Sequence, residues 1–76
     1  MRRHAFEVRC RFPFDDDWEE NTAVAIEAAG REQSFSGSSQ GERDLGWYVE
    51  NIEEAAAMVR RLEDINRGFV ANFREG

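Results

Sequence analysis

The chain predicts an α+β fold, a two-layer sandwich in which one antiparallel four-stranded sheet carries both helices on a single face. Three features of its 76 residues point there. Apolar residues alternate with polar ones in two stretches, Phe6, Val8, Cys10 and Phe12 in the first and Leu45, Trp47 and Val49 in the second, which is the period of a half-buried strand. Directly after the second stretch the period changes at Asn51. From there Ile52, Ala55, Met58, Val59, Leu62 and Ile65 recur at steps of three and four along one stripe of a helix. The whole chain then divides into β-α-β-β-α-β, with no internal linker, repeat or low-complexity segment.

In chain order, the first strand runs from about His4 to Phe12, with Glu7, Arg9 and Arg11 opposite its apolar residues. Pro13 ends it, because proline brings no N–H to a ladder. Asp15, Asp16 and Asp17, followed by Glu19 and Glu20, mark the negatively charged start of a helix over about 16–29. Asp16 with Glu19, or Asp17 with Glu20, has the spacing of a capping box. The stripe Thr22, Ala25, Ile26 and Ala29 is narrow and small, so this helix can lie close to the sheet, and Gly30 suits the left-handed position that stops it.

A weaker strand follows over Arg31 to Gly37, with Gln33, Phe35 and Gly37 on one side. The turn Ser38-Ser39-Gln40-Gly41 joins it to the third strand, about 43–50, as a hairpin with a loop of four residues or slightly more. A second helix is expected over about 52–66, where Asn51 accepts a first-turn N–H and Glu54 reaches back to the Asn51 N–H. Asn66-Arg67-Gly68 offers a stop, and Phe69 to Arg74 a last strand with Phe69, Ala71 and Phe73 inward. At this length the order implies the ferredoxin-like βαββαβ arrangement. Right-handed crossovers place the first and third strands in the middle and the second and fourth at the edges. The competing topology is a two-layer order with the last strand unpaired.

Composition narrows the function classes. Apolar residues at 41% and a net charge of −6 spread along the chain describe a folded domain, one whose thin core must use most of the six Phe and two Trp. The acidic balance, with pI ≈ 4.7, lacks the basic footprint of a nucleic-acid binder. Sheet-face RNA binders also need several outward aromatics on the central strands, and here Tyr48 alone is expected there. All ten basic residues are arginine, which points to a GC-rich, bacterial genome. The single Cys10 has no partner within the chain and shares a face with core positions, so it reads as a small buried hydrophobe. The start Met1-Arg2-Arg3-His4 passes straight into alternation, so a cytoplasmic protein with neither signal peptide nor membrane span is expected.

The motifs that carry chemistry are missing. One histidine, His4, and one cysteine make no zinc set. The Asp15 to Glu20 run lacks the alternating oxygens and glycine of a calcium loop. Gly37-Ser38-Ser39-Gln40-Gly41 lacks the Lys-Ser/Thr ending of a phosphate loop, and Ser38 and Ser39 have no evident base. No cofactor and no catalytic group is therefore expected.

The face of the sheet without helices is expected to carry Glu7, Arg9, Arg11, Asp44, Gly46, Tyr48, Glu50, Val70, Asn72 and Arg74. Antiparallel pairing brings Arg11 near Asp44, Glu7 near Glu50 and Arg74, and Arg9 near Gly46 and Asn72. Gly46 is expected to leave a gap beside Arg9 and Tyr48, wide enough for a small anion or a partner's acidic side chain. Arginine suits both, since its planar fork donates two parallel hydrogen bonds. Arg9, Arg11, Tyr48 and Asn72 are the candidate binding residues. The plainer expectation is a solvated charge lattice that protects an open sheet. Together these features lead to a small non-enzymatic protein-interaction or regulatory domain, homodimeric where an edge strand pairs with a second copy. A module binding an anionic metabolite is the alternative.

Overall fold

Strands β1 (Phe6–Pro13), β2 (Phe35–Ser39), β3 (Glu42–Val49) and β4 (Val70–Glu75) alternate with helices α1 (Trp18–Ala29) and α2 (Ile52–Asp64) in the order β1-α1-β2-β3-α2-β4. They come from a computed structural model that describes residues 6–75, Ser39 by its backbone alone; His4 and Ala5 lie outside the described residues. The strands form one antiparallel sheet in the order β2-β3-β1-β4, with both helices on one face, which is the ferredoxin-like arrangement. The two strands with the clearest alternation are central, and β4 pairs with β1 from Phe6↔Glu75 to Arg11↔Val70, so the last strand is an integral edge.

The core lies between sheet and helices. Val8, Cys10 and Phe12 from β1, Leu45, Trp47 and Val49 from β3, and Phe69 and Ala71 at β4 meet Ala25 and Ala29 of α1 and Ala55, Met58 and Leu62 of α2. Trp47 is fully buried, and its indole N–H donates to the Arg31 carbonyl at 2.9 Å. That bond satisfies the one polar group this large side chain brings inside. Ile52, expected on the buried stripe of α2, is exposed, so the stripe begins at Ala55. Near the start of α1 the Arg43 guanidinium lies over the Trp18 ring at 5.1 Å, and Phe14 meets Trp18 edge-on at 5.0 Å, which ties the helix to β3.

The helix starts differ in a way the backbone explains. Asn51 is extended (φ −143°, ψ 164°), and its Oδ1 accepts the Glu54 N–H at 2.8 Å. The Glu54 carboxylate turns to Arg31 Nη1, 3.8 Å away. At α1 the capping boxes expected from Asp16 or Asp17 do not form. Asp17 (φ −97°, ψ 10°) is already close to helical, so its carboxylate does not reach over the first turn, and Asp15 Oδ1 instead accepts the Asp17 N–H at 3.0 Å. Gly30 stops α1 in the left-handed conformation, and Arg61 of α2 donates to the Ala28 and Ala29 carbonyls at 2.8 and 3.1 Å. Helix α2 ends at Asp64, short of position 66, because Asn66 already adopts φ 61°.

Strand β2 sits later in the chain than its alternation suggested. Residues 31–34 are not strand: the Arg31 carbonyl serves Trp47, and the Arg31 guanidinium donates to the Tyr48 carbonyl. The hairpin loop is also shorter than four residues. Ser39 pairs with Glu42, leaving Gln40 and Gly41 as a two-residue turn at φ 53° and 80°, the left-handed pair of a type I′ turn whose twist matches the flanking strands.

Candidate interaction surface on the open sheet face

The register fixes what stands on the helix-free face. The two-residue turn places Phe35 directly opposite Gly46. A Cβ on Gly46 would come within 2.5 Å of three Phe35 ring atoms, so the glycine is the seat on which the ring lies. The gap expected at Gly46 is therefore filled from the chain's own edge strand. Phe35 meets Tyr48 at 5.2 Å between centroids with the rings tilted at 45°, and the Arg9 guanidinium lies 5.1 Å from the Phe35 centroid. The backbone beneath is held firmly: the Ser34 N–H donates to the Gly46 carbonyl at 2.7 Å, and Ser34 Oγ accepts the Tyr48 N–H at 3.2 Å.

Beside this platform, Glu7 gathers two arginines. Its Oε2 lies 2.5 Å from Arg9 Nε and 3.5 Å from Arg74 Nη2, and the Glu7 side chain is only 12% exposed. The hydrogen bond from Arg9 to Glu7 raises the guanidinium pKa above its ordinary value, against a smaller opposing effect of burial. Glu7 lies opposite Tyr48 and Arg74; Glu50, expected near it, falls beyond the end of β3. Arg11 stands opposite Asp44 in register, yet its guanidinium lies 3.6 Å from Glu42, and Asp44 Oδ1 is buried without a hydrogen-bond partner among the described residues. Asn72 is exposed opposite Arg9, and Val70, 48% exposed, lies opposite Arg11.

Of the four residues singled out in the sequence, Arg9 and Tyr48 are thus joined through Phe35, while Arg11 and Asn72 flank them. Phe35 is the residue that sequence reasoning passed over. Glu7 holds the Arg9 Nε–H, so a carboxylate using that edge of the guanidinium would displace it. Among the described residues no three His, Cys, Asp or Glu side chains gather as a metal would require. On the other face of β1, burial pushes the Cys10 thiol up to about 12, with Asp44 and Glu63 adding to the effect. No described helix is long and apolar enough to cross a membrane. No protein-family model matches the chain, and no curated protein matches it.

Proposed function

We propose that this protein is a small non-enzymatic interaction domain that binds a protein partner through the open face of its sheet. The observation that carries this reading is the Phe35 ring seated on Gly46 between Arg9 and Tyr48. A glycine in a central strand weakens the sheet, and here it admits an aromatic ring to a face that no helix covers. Aromatic rings and arginine are the residue types enriched at interface cores, where they supply large contact area at little cost in conformational entropy. Tyr48 keeps 37% of its surface exposed.

An anionic metabolite, the alternative, would share Arg9 with Glu7, which already holds the Nε–H edge of the guanidinium. Site-directed photo-cross-linking in cells tests the reading, with p-benzoylphenylalanine placed at Tyr48 or at Glu27, an exposed position on α1. A discrete protein adduct from position 48 that is missing from position 27 is expected. Adducts of equal yield and pattern from both positions would remove the open face as the binding surface.

A further inference from the structure

Among the described residues, the six charged side chains of the open face, Glu7, Arg9, Arg11, Glu42, Asp44 and Arg74, cancel in formal charge. Residues 6–75 hold all 16 acidic residues and eight of the ten arginines, so a surplus of negative charge lies off this face. Asp15, Asp16, Asp17, Glu19, Glu20 and Glu27, on α1 and the turn leading into it, make the helical layer the negative side. Two copies that meet with their helical layers foremost bring like charge together. Two that meet through their open faces bring neutral, charge-mixed surfaces together.

From this we infer that the open face docks a second copy of the chain, sheet against sheet, in a transient two-fold homodimer. The inference rests on reading that face as an interaction surface, and it adds the occupant. An isologous contact needs one patch that complements itself. This face is such a patch, with both signs of charge interleaved across β1, β3 and β4 around Phe35, Tyr48 and Val70.

Its size fits a transient contact. Four strands about 4.8 Å apart and about six residues long present on the order of 400 Å² of face, so a symmetric pair buries roughly 800 to 1,000 Å². That lies below the roughly 1,200 to 2,000 Å² of stable specific interfaces, in the range of weak and transient contacts. The geometry differs from pairing along the β2 or β4 edge, which leaves the open-face charges facing solvent.

Sedimentation equilibrium up to millimolar concentration, on the wild type and on Arg11→Glu and Arg60→Glu, tests the inference. Both variants gain the same negative charge, Arg11→Glu on the open face and Arg60→Glu on exposed α2. The wild type and Arg60→Glu are expected to dimerise with rising concentration, and Arg11→Glu to associate more weakly by on the order of tenfold. Val70→Asp is a second face variant with the same expectation, should Arg11→Glu not fold by far-UV circular dichroism.

A wild type that stays monomeric throughout overturns the inference. So does equal association of face and helix variants, which is the pattern of an edge contact. The cross-link at Tyr48 separates the two readings. An adduct with a different protein, from a chain monomeric in solution, removes the second copy and keeps the interaction surface. No adduct from a monomeric chain removes both.

Discussion

Gly46 and Phe35 form a pair in which each residue makes sense only through the other. Replacing Gly46 with alanine forces the tip of the half-buried Phe35 ring off its seat and is expected to cost about 0.5 to 1.5 kcal/mol, the cost of a displaced rotamer. In a Phe35→Ala background the sign should reverse, because alanine in a strand interior is better than glycine by roughly 0.5 to 1 kcal/mol. Urea unfolding of the two single variants and the double variant measures this, and additive effects would mean the ring does not rest on Gly46. The pair was within reach of sequence reasoning but missed through loop length. With Ser38 to Gly41 as the loop, Phe35 falls opposite Asp44; with Gln40-Gly41 alone it falls opposite Gly46. A difference of two residues in the loop moves every pairing on β2 by two while keeping each side chain on its face. The alternation grouped Phe35 with Gln33 and Gly37, but neither its face of the sheet nor its partner was legible while the loop length was open.

The elements were read with unequal success for a reason visible at their ends. Helix α2 has a strong apolar stripe and an extended Asn51, so its start is set by local chemistry. The start of α1 offered several acidic candidates at capping spacing, and backbone conformation chose among them. Asn51→Ala should cost about 1 kcal/mol in chemical denaturation, within the usual range for a lost cap, whereas Asp17→Ala should change stability by less than about 0.5 kcal/mol. Equal losses at both positions would contradict the difference in their geometry. The shift of β2 has another cause. Arg31 is drawn out of the strand by long-range bonds to Trp47, Tyr48 and Glu54, partners that alternation along residues 31–37 cannot reveal.

At the scale of the molecule, a chain of this size has a stability on the order of 4 to 11 kcal/mol, so a single buried ionisable group matters. Cys10 is held neutral: its thiol ionises at about 12, against an ordinary 9.0. A folded pKa raised above the unfolded one contributes stability that is complete below the unfolded value and is lost as pH climbs through the folded value. The window therefore lies between about pH 9 and pH 12, with a loss approaching 1.4 kcal/mol per pH unit. Unfolding of the wild type and Cys10→Ala at about pH 8 and pH 10.5 should show the wild type losing up to about 2 kcal/mol more than the variant. Parallel losses would mean that Cys10 ionises in the folded protein as it does in the unfolded chain.

By itself the sequence determined the element order, the central place of β1 and β3, the buried faces of the strands and the acidic balance. These follow from side-chain period and composition, which are local or additive properties. Tertiary structure decided the β2 register, the partner of each open-face arginine and the seating of Phe35 on Gly46. Each of these depends on a distance between residues far apart in the chain. One turn of unknown length, or one arginine with two carboxylates in reach, is enough to leave that distance open until the sheet has formed.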